Sequence, residues 1–368
     1  MKRGNVRSSR ERKPATASEQ EREPLAGEEL DPALPRNELE TALAEEGLVE
    51  VAPARLPRTR GAGPRILALG GGKGGSGRSL IAVNIGVHLA QVGKKVLLVD
   101  ADFSGANLHT LLGVGPPRKT ISDVLLRKKE SFEELLLDTD IPGLTLASGI
   151  GESFALGPGS RGDGRNRFLE YLSEVEHDYV IIDLAAGVSP TVLDLFLFAD
   201  CGIVVFLPEP TSVENAYRFI KSAFFRQIWN QEPYKSLRGL LTDAQGAVRE
   251  FGILSPPTFL EQVWKRFPDL APSLMDELAA FQPQIILNMC RARADAELGD
   301  AICSAVRRKM QIQLGYLGYV EYDDPIRLSV RRRRPVVLEY PEGKPAGNFQ
   351  QIVRRLLGLE ASLRGRRW

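Results

Sequence analysis

A glycine-rich stretch, Leu67–Ser79, sets the strongest constraint on how this chain can fold. The apolar run that begins at Ile66 ends in glycines at Gly70, and a helical pattern starts directly after Arg78. Glycines let successive backbone N–H groups turn inward toward an anion, and a helix N-terminus adds further unpaired N–H groups. A strand, a glycine loop and a helix in this order therefore predict a phosphate-binding loop rather than a plain surface turn.

The loop matches the pattern G-x-x-x-x-G-K-[ST] at Gly72, Gly77 and Ser79, but Arg78 stands where lysine is expected. Arginine keeps the charge and changes its shape from a compact ammonium to a planar fork. We expect nucleotide binding to survive this change and hydrolysis to be slow. The predicted nucleotide-binding residues of the loop are Gly72, Lys73, Gly74, Gly75, Ser76, Gly77, Arg78, Ser79 and Leu80.

Bulk properties of the 368-residue chain favour an intracellular protein. The formal net charge of +1 gives no overall attraction to nucleic acid or membrane, so any such partner must be met by a local patch. The three cysteines fit reduced thiols better than a disulfide framework. No apolar run is long enough to cross a bilayer, and the N-terminus lacks an apolar signal core. The predicted location is the cytoplasm.

The N-terminal residues 1–64 are predicted to be a disordered, charged extension and linker. Residues 1–60 carry 11 basic, 12 acidic and no aromatic side chains, too little apolar surface to offset the entropy of ordering. One short helix is predicted from Asn37 to Gly47, where leucines recur at near-helical spacing.

From Ile66 onward, apolar runs alternate with helical patterns, which predicts a doubly wound α/β fold with a mainly parallel sheet covered by helices on both faces. The predicted strands are Ile66–Leu69, Val96–Val99, Leu144–Ala147, Tyr179–Ile182, Gly202–Leu207, Gln284–Leu287 and Leu314–Leu317. The helical stretches include Ser79–Val92, Thr211–Ile228 and Ala294–Lys309. In such a sheet, a ligand binds at the carboxyl ends of the strands.

Carboxylates follow two of these strands, with Asp100 and Asp102 after one and Asp183 after another. A carboxylate at the tip of a buried strand has lost hydration and needs a cation or N–H donors. Mg²⁺ on a nucleotide would suit this place, with the Ser79 hydroxyl as another ligand. The alternative is that these aspartates cap the following turn or helix. We favour the metal interpretation because three aspartates lie beside one phosphate loop.

The loop, with Lys73 in Gly-Lys-Gly-Gly-x-Gly, resembles the deviant phosphate loop of the MinD/ParA family of P-loop ATPases, and the order of motifs matches over residues 65–358. The stretch that begins at Pro208 is similar to the FlhG/FleN-like branch. The resemblance implies an ATP-state homodimer, in which Lys73 reaches the partner subunit's nucleotide. It also implies that Asp102 positions the attacking water, that Asp183 binds Mg²⁺ through water, and that Asn288 contacts adenine.

The same resemblance completes the predicted site. Gly187 lies near the γ-phosphate in this interpretation, and the residues from Val320 to Val337 correspond to the loop and helix beside the base. The predicted catalytic residues are Lys73, Arg78 and Asp102. The predicted metal ligands are Ser79, Asp102 and Asp183.

A helical insertion is predicted at about 230–283, where Leu260, Val263, Trp264 and Phe267 recur at helical spacing and Leu274, Leu278 and Phe281 follow similarly. Ser255 precedes two prolines and suits the start of the first helix. The insertion could dock a partner or flank a dimer, but we slightly favour two helices that only pack against the domain and bind nothing.

The C-terminal region is rich in arginine. Four consecutive arginines begin at Arg331, and our default interpretation is a solvated face, with contact to nucleic-acid phosphates as the alternative. A sheet-covering helix is predicted behind an Asn348 cap, with an apolar stripe from Phe349 to Leu357. The basic tail 359–368 could give weak contact with the inner face of the plasma membrane.

The favoured function is a MinD/FlhG-like ATPase that positions a cellular structure such as a flagellum, a division site or a polar complex. It would use ATP and Mg²⁺, dimerise in the ATP state, and respond to an unidentified protein partner or activator. Two alternatives stay open: a ParA-like DNA-partitioning ATPase, and a nucleotide-sensing scaffold with little turnover because of Arg78.

Overall fold

The computed structural model describes residues 63–103, 105–121, 132–149, 163–230, 232–237 and 255–364. Side chains are described within these ranges except at 163–166, 232–233, 235 and 359–364. The predictions made for residues 1–62, including the disordered extension and the Asn37–Gly47 helix, lie outside the described residues. So do the predictions for the side chains of the tail 359–368.

In the described part of the chain, eight strands form one sheet with the order β3-β4-β2-β5-β1-β6-β7-β8. The strands are β1 (Arg65–Gly70), β2 (Val96–Ala101), β3 (Leu137–Asp138), β4 (Leu144–Ser148), β5 (Tyr179–Leu184), β6 (Cys201–Phe206), β7 (Gln284–Cys290) and β8 (Gly315–Glu321). Neighbouring strands are parallel except for β3, which pairs antiparallel with β4. The seven predicted strands are present, and β3 was missed.

The helices are α1 (Arg78–Gln91), α2 (Leu108–Leu111), α3 (Asp163–Glu174), α4 (Pro190–Phe198), α5 (Pro210–Asn230), α6 (Pro256–Arg266), α7 (Ala271–Ala280), α8 (Arg293–Met310), α9 (Asp324–Arg331), α10 (Val336–Glu339) and α11 (Lys344–Arg364). Two short 3₁₀ helices, Phe132–Leu135 and Glu232–Leu237, join them. The predicted helices Ser79–Val92, Thr211–Ile228 and Ala294–Lys309 correspond to α1, α5 and α8. None of the helices in the described part of the chain is long and apolar enough to span a bilayer.

Apolar side chains cover both faces of the sheet, which confirms the doubly wound α/β prediction. In β1, Ile66 and Ala68 pack toward α3–α8, whereas Leu67 and Leu69 pack toward α1, α10 and α11. Alternate residues of a strand point to opposite faces, so a strand buried on both sides must be apolar throughout. This explains why the strands read as continuous apolar runs.

The order of the strands places β1 at the point where the chain changes direction across the sheet. β2, β4 and β5 lie on one side of β1, and β6, β7 and β8 lie on the other. A crevice forms outside the carboxyl ends of the strands at such a point, and the glycine loop after β1 lies there.

The two helices predicted between residues 230 and 283 are present as α6 and α7, and Ser255 caps α6 by accepting a hydrogen bond from the Thr258 N–H at 3.3 Å. One part of the predicted apolar stripe is wrong, because Trp264 is 50% exposed. Trp264 is followed by Lys265 and Arg266 in the last turn, at the solvent-facing end of α6.

The predicted Asn348 cap is also wrong. α11 begins at Lys344, so Asn348 lies inside the helix. Its side-chain oxygen accepts a hydrogen bond from the Glu321 N–H at 3.0 Å and thereby ties α11 to the end of β8. The apolar stripe itself is confirmed, since Phe349, Ile352, Val353 and Leu356 are buried against the sheet.

Replacing Phe349 with Ala should lower the free energy of unfolding by about 3–5 kcal/mol, because the fully buried ring would leave a cavity between α11 and the sheet. Urea unfolding followed by circular dichroism measures this loss. Arg354→Ala on the exposed face of the same helix is the control, with an expected change within about 0.5 kcal/mol. Equal effects of the two substitutions would contradict the assigned packing of α11.

Candidate functional site

The glycine loop lies at the carboxyl end of β1 and runs directly into α1. Gly77 occupies the N-cap position with φ 82°, and no side chain caps the first N–H groups of the helix. Of the predicted loop residues, Lys73, Gly74 and Gly75 are exposed, whereas Ser76 and Arg78 are buried. The loop therefore presents free backbone N–H groups and the positive end of a helix dipole, which together favour an anion.

Two glycines of the loop are required by close contacts. A Cβ atom on Gly72 would lie 2.4 Å from the backbone oxygen of Asn215 on α5. A Cβ atom on Gly77 would lie 2.2 Å from the side-chain Nδ2 of Asn288, at the end of β7. Neither position can accept a side chain unless its neighbour moves, so both glycines fix the path of the loop.

Arg78 turns its guanidinium back under the loop. Its Nη1 donates to the Lys73 carbonyl at 2.8 Å and, more weakly, to the Gly71 carbonyl at 3.4 Å. Burial lowers the pKa of Arg78, an effect that the nearby charges of Asp183 and Asp102 oppose. Arginine keeps its proton in proteins, so Arg78 is a buried cation beside the loop, and the charges of the two carboxylates act on it.

Asp183, at the end of β5, is only 2% exposed. Burial raises its pKa to about 7, and the charges of Asp100 and Asp102 add to that rise, whereas the Ser79 hydroxyl and Arg78 oppose it. Its Oδ1 is buried and has no hydrogen-bond partner. A buried oxygen of this kind is costly unless a ligand completes it.

Asp100 and Asp102 play different parts at the end of β2. Asp100 is fully buried, and its Oδ2 accepts hydrogen bonds from the N–H groups of Asn107 at 2.8 Å and Leu108 at 3.0 Å. Burial raises its pKa to about 6, against the effect of these N–H donors. Asp100 therefore caps the start of α2, which is the alternative considered for strand-end aspartates.

Asp102 is partly exposed, and its Oδ1 accepts a hydrogen bond from the Gly105 N–H at 2.9 Å. Its charge acts on both Arg78 and Asp183. The structure thus brings Arg78, Ser79, Asp102 and Asp183 together beside the loop. The exposed side chain of Lys73 lies at the rim of the loop.

Gly187 and Asn288 also lie beside the loop. The Gly187 N–H donates to the Gly71 carbonyl at 3.3 Å. The side-chain Nδ2 of Asn288 donates to the Ser76 carbonyl at 2.9 Å, and its Oδ1 accepts from the Met289 N–H at 2.9 Å. No local sequence pattern indicates this contact between Asn288 and the loop.

The buried Ser76 hydroxyl has no hydrogen-bond partner either. The Ser76 hydroxyl, one oxygen of Asp183 and the uncapped start of α1 thus form a polar site in which these groups lack hydrogen-bond partners within the described part of the protein. Within the described residues, no cluster of three or more histidine, cysteine or acidic side chains is placed to hold a metal ion by itself. The arrangement fits a phosphorylated ligand that brings part of a cation's coordination shell with it.

Comparison with known proteins also points to a P-loop ATPase. The AAA domain family AAA_31 matches residues 64–231. The antiactivator FleN of Pseudomonas aeruginosa is 25% identical over 297 residues, which cover 79% of this chain and 86% of FleN. The order of the strands and the loop with both Lys73 and Arg78 are consistent with this extended match. These matches support a P-loop ATPase domain that is similar to those of MinD/ParA proteins.

One further relative matches over a shorter range, and a solved structure matches over most of the chain. The flagellum site-determining protein YlxH of Helicobacter pylori is 32% identical over 162 residues, 43% of this chain and 53% of YlxH. The septum site-determining protein MinD of Pyrococcus horikoshii OT3, solved with Mg-ADP, has the same fold, with a TM-score of 0.52 and 20% identity over 80% of this chain and 96% of that one.

Replacing Gly77 with Ala should destabilise the protein more than replacing Gly93 with Ala. The two glycines have almost the same backbone angle, φ 82° and φ 83°, so both substitutions carry the left-handed cost of about 1–2 kcal/mol. Only at Gly77 would the new methyl group also displace the Asn288 amide, since nothing lies within 4 Å of a Cβ at Gly93. Urea unfolding compares the two, and a smaller loss for Gly77→Ala would contradict the assigned contact.

Proposed function

We propose that this protein binds and hydrolyses ATP as a MinD/FlhG-like spatial regulator, and that its ATP-bound form is a homodimer that positions a flagellum, a division site or another polar structure. The observation that carries the proposal is the pair of basic residues in the loop. Arg78 is buried under the loop, whereas Lys73 is exposed at its rim, where a second copy of the chain can meet it. The relatives named as a flagellum site-determining and a septum site-determining protein support the spatial role.

In this proposal, the loop N–H groups and the start of α1 bind the phosphates of ATP. Ser79, Asp102 and Asp183 are the residues that would hold Mg²⁺, directly or through water. When bound, Mg²⁺ supplies positive charge that offsets the negative charge developing on the phosphates. The Asp183 oxygen without a hydrogen-bond partner fits this role.

Hydrolysis needs a group that orients water, and Asp102 is the carboxylate best placed for it. It is partly exposed, whereas Asp183 and Asp100 are buried. Gly187 is the further donor at this end of the site, but its N–H is already bonded to the Gly71 carbonyl at 3.3 Å. That long hydrogen bond must break before the Gly187 N–H can reach a phosphate.

The chain is proposed to work in the cytoplasm with a protein partner or activator, and to release its surface and its partner when ATP is hydrolysed. A spatial switch needs this cycle, because a complex that never dissociates carries no positional information. Weak membrane contact through the tail 359–368 stays part of the proposal, since a dimer with two tails would gain affinity by avidity.

Replacing Lys73 with Ala should abolish ATP-dependent dimerisation and leave ATP affinity little changed, because the backbone N–H groups and Arg78 remain. Sedimentation velocity with ATP, ADP or no nucleotide measures the oligomeric state, and calorimetry measures binding. Lys265→Ala, a change at an exposed lysine on α6, is the control and should dimerise like the parent protein. A Lys73→Ala protein that dimerises as readily as the parent would refute the proposed dimer.

Replacing Arg78 with Lys should raise the rate of ATP hydrolysis, because a compact ammonium can follow the phosphate oxygens more closely than a planar fork bound to loop carbonyls. Arg78→Ala should lower kcat/KM by about 100-fold, since it removes a charge that stabilises the transition state. Phosphate release measures both, with Arg354→Lys on α11 as the control. Unchanged turnover and nucleotide affinity in both Arg78 variants would place Arg78 outside the site.

A second candidate, a ParA-like ATPase that holds DNA, is favoured by the arginine cluster Arg331–Arg334. All four side chains are exposed, and Glu339 pairs with two of them, Arg332 and Arg334. Adding plain duplex DNA or anionic liposomes to the sedimentation assay shows whether the protein binds DNA or a membrane. ATP-dependent co-sedimentation with DNA that disappears at high salt would favour the second candidate.

A further inference from the structure

Asn288, near the end of β7, connects this strand to Ser76, the loop residue directly before Gly77. It is 2% exposed, and its side-chain amide is engaged by the protein on both sides. Nδ2 donates to the Ser76 carbonyl at 2.9 Å, and Oδ1 accepts from the Met289 N–H at 2.9 Å. Met289 has φ 58°, so the backbone turns sharply directly after Asn288.

The bond to Ser76 has a consequence for the next N–H group along the loop. The Ser76 carbonyl and the Gly77 N–H belong to one planar trans peptide, so they point in opposite directions. When Asn288 holds the carbonyl on the β7 side, the Gly77 N–H must point to the other side of the loop. A loop that binds an anion needs its N–H groups aligned in this way before the ligand arrives.

Arg78 acts on the loop in the same manner at an earlier peptide. Its bond to the Lys73 carbonyl at 2.8 Å fixes the direction of the Gly74 N–H. Two side chains from different parts of the chain therefore hold carbonyls of the loop. Asn288 is the one that ties the loop to a strand of the sheet, and hence to the rigid part of the fold.

We propose that Asn288 is a positioning residue that aims the Gly77 N–H at the polyphosphate of the nucleotide, whatever base the nucleotide carries. The inference rests on the proposed ATP binding and adds a role that the resemblance to the family does not give, since that resemblance assigns Asn288 to the adenine. The two roles differ in one measurable respect. A positioning residue affects every polyphosphate, whereas a base-reading residue affects adenine nucleotides.

The test compares ATP, GTP and inorganic tripolyphosphate, each with Mg²⁺, by calorimetry. Asn288→Ala should weaken binding of all three by about tenfold, because it removes one hydrogen bond that holds the loop, and it should leave the ratio of ATP to GTP affinity unchanged. Asn288→Asp keeps the shape and sets a carboxylate oxygen against the Ser76 carbonyl. It should weaken tripolyphosphate binding more than Asn288→Ala does.

Asn348→Ala is the matched control. Asn348 is also a buried asparagine, with its side-chain oxygen bonded to the Glu321 N–H at the end of β8, and it makes no hydrogen bond to the loop in the part of the chain that the structure describes. It should cost comparable thermal stability and leave tripolyphosphate affinity unchanged. This comparison separates positioning of the loop from a general loss of stability.

The outcomes separate the inference from the proposed function. If the parent protein binds neither ATP nor tripolyphosphate, ATP binding itself is refuted, and the inference falls with it. If the parent protein binds both but Asn288→Ala keeps full tripolyphosphate affinity, only the inference is overturned. A shift of the ATP-to-GTP ratio without loss of tripolyphosphate binding would assign Asn288 to the base instead.

Discussion

The parallel alignment of β1 with β5 and β6 is the constraint on which the site depends. It places the glycine loop between the ends of neighbouring strands, so that Asp183 and Asp100 approach the loop from one side and Asn288 from the other. A parallel sheet is buried on both faces, and its strand ends are the place where polar groups can reach solvent or a ligand. The fold thus places the buried charges of Arg78, Asp100 and Asp183 at one edge of the sheet.

That concentration has an electrostatic cost that the protein itself meets only in part. Asp100 receives N–H donors from Asn107, Leu108 and Asp102, and these offset part of its desolvation. Asp183 keeps a buried oxygen without a partner, and burial raises its pKa to about 7. The two carboxylates differ because one is satisfied by the turn that it caps, whereas the other is left for something outside the chain. An incompletely satisfied buried carboxylate beside an uncapped helix is the arrangement expected of a site that a charged ligand completes.

Most of the fold could be predicted from the sequence because buried parallel strands are apolar throughout and the helices between them are amphipathic. The missed strand, β3, has two residues at the sheet edge, too few to show a periodicity. Trp264 follows the helical spacing but lies at the exposed end of α6, and spacing alone does not show where a helix leaves the core. The loop, Asp102 and Asp183 were predicted as a site because each follows a strand. The bond between Asn288 and Ser76 joins residues far apart in sequence, and the same is true of Asn348 and Glu321, so neither could be read from local pattern.

The arginine at position 78 limits the roles that the two cationic side chains of the loop, Arg78 and Lys73, can take. A lysine at this position could leave the loop carbonyls and follow the phosphates at little cost, because its ammonium is small and its stem is flexible. Arg78 is buried and bonded to the Lys73 and Gly71 carbonyls, so any movement toward a ligand must break contacts that shape the loop itself. The same bond fixes the main chain at Lys73, whose side chain is exposed. Arg78 therefore links the shape of the loop to the position of the main chain at Lys73. A substitution at either residue must also affect the other.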